Sequence, residues 1–238
     1  DRVDLKDFLL MNQDQSDTIA NVGSLLVNIN GFSNFKNQLK VDGITLERGV
    51  VKIEKDTTGV MNLKFVLDYF KSDKKKKKKE ALPIFVDDLQ LKDIRFHYNN
   101  FKSPAVQLGM DYQHLLLSNV NLDARKISMI DGAIVANVRH LSANEKCGFV
   151  LDHFQGKINL SNKGVEINKV NITTADTELN SERFRLLYTS YTQYKTFVDS
   201  VAFEADLNKS VVSLKDVAYF APQLDGMDQK IQIEGKFT

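Results

Sequence analysis

Residues 89–98 read LQLKDIRFHY and decide the fold class of the chain. Apolar residues stand at every second position, first at Leu89 and Leu91 and then at Ile94, Phe96 and Tyr98. This alternation places one face of a β-strand in an apolar environment and the other face in water. Between Leu91 and Ile94, two polar residues interrupt the alternation. A strand keeps Leu91 and Ile94 on the same face only through a bulge or bend.

The same interruption recurs along the chain. Its copies are Leu5-Lys6-Asp7-Phe8, Leu91-Lys92-Asp93-Ile94 and Leu214-Lys215-Asp216-Val217, with a looser copy at Leu46-Glu47-Arg48-Gly49-Val50. A recurring bend predicts a curved sheet that grows by addition of similar units rather than a compact globule.

The rest of the chain extends the strand pattern. Ile134-x-Ala136-x-Val138 and Ile231-x-Ile233 alternate in the same way. The unbroken apolar runs of a parallel sheet are absent, so an antiparallel sheet with one solvated face is favoured. We predict a mainly β fold: an elongated, highly curved antiparallel sheet with one or two short helices.

Three stretches depart from the alternation. Residues 62–70 carry Leu63 and Val66 at helical spacing, and Tyr188 to Phe197 carries an aromatic residue at every third position, so both predict short helices. Residues 147–154 are a third candidate for a helical turn. The charged, low-complexity segment 71–81 predicts a mobile loop. We expect one β-groove segment over 1–238, with 1–80 and 81–238 as candidate sub-units joined by that loop.

Composition excludes several classes of protein. The formal net charge is +1, but the six lysines of one run account for it: without them 26 basic residues face 31 acidic ones. A mildly acidic body does not favour nucleic-acid binding. The single cysteine, Cys147, excludes a disulfide scaffold. No apolar run approaches the ~20 residues of a membrane-spanning helix. We expect the chain to be an excised part of a longer protein, in which any signal or anchor would lie upstream.

Candidate catalytic and metal-ligating residues are sparse. The four histidines, His97, His114, His140 and His153, lie far apart without the spacing of metal ligands. Cys147 and His153 are close in sequence, but no third residue that would orient them is evident. Phosphate-binding glycine loops and nucleophile elbows are absent. The sequence therefore predicts no enzyme, no metal and no cofactor.

Three further motifs follow one another along the chain: Gly49-Val50-Val51-Lys52-Ile53 with Gly59-x-x-Asn62-Leu63, then Cys147-Gly148-Phe149 through Phe154, then the run from Tyr188 through Val201-x-Phe203-x-Ala205-x-Leu207 to Tyr219-Phe220-x-Pro222. Their order, over about residues 5–237, resembles the AsmA/TamB (translocation and assembly module) family of Gram-negative cell envelopes. The resemblance implies a taco-like β-groove fold in a periplasmic protein, anchored in the inner membrane, that acts in outer-membrane biogenesis by phospholipid transport. It also implies a barrel-assembly partner in the outer membrane, bound through a C-terminal region outside this chain.

An open, one-sided sheet needs a cover for its apolar face, and phospholipid acyl chains are a suitable one. The predicted lipid-groove residues are Ile44, Leu46, Val51, Ile53, Leu89, Leu91, Phe96, Ile134, Val138, Ile158, Leu160, Ile167, Ile172, Phe203, Leu207, Leu214, Ile231 and Ile233. The alternative is that these residues pack against one another as an ordinary core.

The lysine run is a candidate contact with anionic headgroups at a membrane surface. Its members are Lys74, Lys75, Lys76, Lys77, Lys78 and Lys79. The alternative for this run is a solvated loop tip. Two other functions stay open for the chain: a scaffold that binds a partner by strand addition, and a carbohydrate-binding β-domain, which the lack of Trp disfavours.

Overall fold

A computed structural model describes residues 1–29, 38–69, 83–187 and 202–238. The described chain forms one open, mixed sheet of eleven strands with two short helices. The strands are β1 (Arg2–Met11), β2 (Thr18–Asn28), β3 (Leu39–Lys55), β4 (Ile84–Asn100), β5 (His114–Ile130), β6 (Ala133–Glu145), β7 (Val150–Ser161), β8 (Gly164–Thr173), β9 (Glu178–Leu187), β10 (Ala202–Ser213) and β11 (Lys230–Phe237). The helices are α1 (Lys64–Tyr69) and α2 (Leu214–Ala218), and a 3₁₀ turn (Pro222–Leu224) follows α2.

The order of the strands in the sheet is their order in the sequence. Each strand pairs with the next, and the sheet is not closed into a barrel. The predicted β character, single sheet and short helices are therefore confirmed. In the described part of the chain, no helix is long and apolar enough to cross a bilayer.

One pair of strands departs from the antiparallel prediction. β3 and β4 run parallel, with Leu39 opposite Ile84 and Lys55 opposite Asn100. The connection between them is long and includes α1, and a parallel pair requires a crossover of at least about a dozen residues. This direct pairing makes the sheet continuous across segment 71–81, which itself lies outside the described residues.

The predicted bends are present inside the strands. Asp7, Arg48 and Asp93 all have left-handed backbone, with φ of 51°, 53° and 52°. Register brings them into one line, since Asp7 and Arg48 both lie opposite Gly23 and Arg48 lies beside Asp93. A left-handed residue or bulge bends its strand and increases the local twist.

This line of bends continues through the rest of the sheet. Asn119 in β5 and Lys169 in β8 also have positive φ, and the register shifts in β6, β7 and β10 next to the same line. We call this line across the strands the bend line. It confirms the bend that three of the four sequence copies predict.

Two local predictions are wrong. The fourth copy of the motif is not a bend in a strand, because α2 begins at Leu214. Residues 147–154 are not helical either: a turn at 146–148 leads into β7. The helix predicted over 62–70 is present as α1, and the one predicted from Tyr188 to Phe197 lies outside the described residues.

Candidate functional site: the apolar face of the sheet

Register gathers apolar side chains from all parts of the sheet onto one side, which we call the apolar face. Directly opposed residues of neighbouring strands share a face. One row crosses nine strands without a polar residue: Leu5, Leu25, Leu46, Leu91, Leu122, Leu141, Phe154, Ile172 and Leu179. A second row runs toward the other edge strand: Ala136, Ile158, Ile167, Phe184, Ala205 and Phe237.

The bend line keeps these rows on one side. Leu91 and Ile94 are three residues apart and would lie on opposite faces of a regular strand. With Asp93 in the left-handed region between them, both belong to one cluster with Val22 and Val120. The bend therefore lets each strand present apolar residues on the same face on both sides of the line.

The predicted groove residues share this face with one exception. Their pairing partners place all of them on it except Leu214, which starts α2 instead of continuing β10. Leu214 was assigned from an alternation that ends at Ser213. The lysine run 74–79 lies outside the described residues, so its membrane role stays a prediction.

Most of the apolar face is half-buried rather than buried. Of the predicted groove residues, Val138 and Leu207 are buried, whereas Phe203 is 41% exposed and Ile231 is 42% exposed. Within the described ranges each strand packs against its sheet neighbours, and α2 packs against β10, the 3₁₀ turn and the β8–β9 connection. The described chain thus provides no second layer over this face, in contrast to a sandwich, in which a facing sheet covers it.

The opposite side, which we call the polar face, carries ion pairs between neighbouring strands. The Arg185 guanidinium lies 3.0 Å from the Glu166 carboxylate and 3.1 Å from the Glu204 carboxylate, and so joins β8, β9 and β10. Arg125 and Asp88 pair at 3.2 Å between β5 and β4. Ion pairs therefore join β4 to β5 and β8 to β10 on the side opposite the apolar rows.

At one end of the strands, the loops that connect them contact one another. The hydroxyls of Thr174 and Thr177 both donate to Asp216 at 2.6 Å, which attaches α2 to the β8–β9 connection. The Phe149 ring meets the rings of Tyr219 and Phe220 edge-on. These hydrogen bonds and aromatic contacts hold the connecting loops together at this end of the sheet.

Cys147 lines a cavity of about 430 Å³ at this end of the sheet. Burial raises the pKa of the Cys147 thiol, and the Glu145 carboxylate raises it further. A thiol with a raised pKa holds little thiolate and is a poor nucleophile. His153 does not face Cys147 as a catalytic base; its ring contacts His140 instead.

That histidine contact is a feature the sequence analysis missed. His140 and His153 stand thirteen positions apart, and the β6–β7 hairpin brings their Nδ1 atoms to 2.8 Å. Only the register of the hairpin, with Leu141 opposite Phe154, reveals their proximity. The other two histidines, His97 and His114, lie on β4 and β5.

Comparison with known proteins adds no identification: no family model, curated protein or solved structure matches the chain.

Proposed function

We propose that this chain is a non-enzymatic segment of an envelope protein that shields or conducts phospholipid acyl chains along its apolar face. The observation that carries the proposal is the uninterrupted apolar row across nine strands, which the described chain leaves half-exposed. An extended apolar surface of this kind marks a binding site for a partner or lipid.

The dimensions of the row suit an acyl chain. Strands lie ~4.8 Å apart, so nine strands give a row of about 38 Å. Acyl chains need dry apolar surface and no hydrogen bonds, and each buried CH₂ contributes ~0.8 kcal/mol. About fourteen such groups then contribute on the order of 10 kcal/mol before ordering costs. Because this attraction has no direction, the chain can slide along the row.

The setting we propose comes from the sequence resemblance. A member of the AsmA/TamB family would stand in the periplasm of a Gram-negative cell, anchored in the inner membrane, and act in outer-membrane biogenesis. A barrel-assembly partner in the outer membrane belongs to the same proposal. The two-sided chemistry of the sheet supports it, because the charged face can meet water while acyl chains lie on the other face.

The test is native mass spectrometry of the purified protein together with analysis of extracted phospholipid. We expect bound phospholipid in the wild-type protein. Ile167→Asp puts a carboxylate on the apolar face of β8, and we expect bound lipid to fall at least about tenfold because that charge would be buried without a partner.

The matched control changes the next residue of the same strand. Asn168 lies between Lys157 and Arg183 on the polar face, so Asn168→Asp should leave bound lipid unchanged. Phospholipid at equal levels in both folded variants, or none in the wild-type protein, would contradict the proposal.

A scaffold role is the alternative, and one observation favours it. β1 and β11 are the two edges of the sheet, and an unpaired edge can accept a strand from another protein. Both edges carry charged side chains, among them Lys6 in β1 and Lys236 in β11, which limit unspecific pairing. A protein without bound lipid that forms a stable complex through β1 or β11 would support this role.

A further inference from the structure

The polar face carries one cluster that neither lipid binding nor the ion pairs explain. His140 in β6 and His153 in β7 precede Leu141 and Phe154, which face the apolar side, so both imidazoles lie on the polar face. Their rings are stacked, with centroids 5.0 Å apart and planes at 29°. Their Nδ1 atoms are 2.8 Å apart, and both side chains are half-buried.

The distance between the two nitrogens fits one coordination geometry better than another. Metal–imidazole bonds are about 2.0 Å long. Two such bonds at the right angle of a square-planar or tetragonal site place their nitrogens about 2.8 Å apart, whereas the tetrahedral angle places them about 3.3 Å apart. The observed separation matches the first geometry, which Cu(II) and Ni(II) prefer.

The two Nδ1 atoms are hydrogen-bonded to each other, and a metal bound to both would replace the proton that they share. Asp123 is the cross-strand neighbour of His140, but both of its carboxylate oxygens bind the Arg139 guanidinium. The neutral imidazole is the form that binds a metal.

We propose that His140 and His153 form a two-imidazole site for a divalent metal with square-planar preference, Cu(II) above Ni(II). Within the described ranges, no group of three or more His, Cys, Asp or Glu side chains is arranged to hold a metal. Water or a small ligand therefore fills the remaining positions. The site lies on the face opposite the proposed lipid surface, so the two proposals stand independently.

The experiment is a titration of the purified protein with Cu(II) at pH 7.5 in a non-coordinating buffer, followed by calorimetry and electron paramagnetic resonance. We expect one Cu(II) per chain and a tetragonal spectrum with hyperfine splitting from two nitrogens. His140→Gln and His153→Gln should each weaken binding at least about tenfold, because one arm of a two-point attachment is lost.

The matched control is His97→Gln. His97 is another half-buried histidine, on β4, and its substitution should leave the Cu(II) affinity within about twofold. Circular dichroism checks that the variants fold. A second measurement needs no substitution: Cu(II) should selectively broaden the ring NMR signals of His140 and His153 in the wild-type protein.

Two results would overturn the site. One is a wild-type dissociation constant above about 1 mM, which would mean that the two imidazoles only hydrogen-bond to each other. The other is equal Cu(II) affinity in the wild-type protein and both Gln variants, which would place the metal elsewhere on the chain.

Discussion

The two faces of the sheet are made by the same strands but depend on different interactions. On the apolar face, Val22, Ile94 and Val120 are almost fully buried beside the bend line. On the polar face, the ion pair of Arg125 and Asp88 has both side chains more than a third exposed. Burial of apolar surface stabilises a fold far more than an exposed ion pair does. The comparison indicates that burial on the apolar face contributes more to the stability of the sheet than the exposed ion pairs of the polar face do.

The largest expected effect tests the apolar face. Ile94 is 1% exposed, and Ile94→Ala should lower the free energy of unfolding by about 3 kcal/mol, since it removes buried methylene groups and leaves a cavity. Chemical denaturation measures the change. Val135 on β6 is 44% exposed, and Val135→Ala should cost less than about 1 kcal/mol. Equal losses of unfolding free energy in Ile94→Ala and Val135→Ala would show that the two positions do not differ in packing.

An intermediate effect tests the bend line that aligns the apolar face. Asp93 has a φ of 52°, which a β-branched residue adopts only with strain. Asp93→Val should lower the free energy of unfolding by about 1–2 kcal/mol. Asp93→Gly should retain stability, because glycine adopts positive φ without strain. The same denaturation assay compares the two, and a loss with Gly as large as that with Val would show that the side chain, not the backbone, matters here.

The smallest expected effect tests the polar face. Arg185 bridges Glu166 and Glu204, and Arg185→Gln should lower the free energy of unfolding by about 1 kcal/mol at low salt. In 1 M NaCl the difference from the wild-type protein should shrink, since salt screens the charges. Arg183→Gln removes an equal charge from an exposed position of the same strand and is the control. A salt-independent loss of several kcal/mol would mean that the polar face also carries the fold.

Much of the sheet could be predicted from local residue pattern. Period-two alternation placed nearly all the predicted groove residues on one face, because the side-chain direction of a strand follows directly from its geometry. The interruption of the alternation also predicted the bends in β1 and β4, and its looser copy predicted the bend in β3; the left-handed residue at each bend is seen only in the structure. In each case the signal lies within a few residues.

Features that depend on distant residues were not predicted. The parallel pairing of β3 with β4 follows from the crossover through α1, and the alternation within either strand carries no information about it. Leu214 belongs to a copy of the bend motif, yet α2 begins there and Asp216 binds Thr174 and Thr177. The contact of His140 with His153 required the register of a hairpin. The parallel pair, the start of α2 and the histidine contact all depend on interactions between residues that are distant in sequence.

The strands lie in the sheet in the same order as in the sequence, and this order affects how the molecule folds. Every pairing joins consecutive strands, and all connections but one are 2 to 16 residues long, so loop-closure entropy is modest at most steps and contacts form early. The sheet can then lengthen strand by strand from its first hairpin while later residues are still being synthesised. β3 and β4 are the exception, since residues 56–83 separate them, and their docking is the step at which growth should pause.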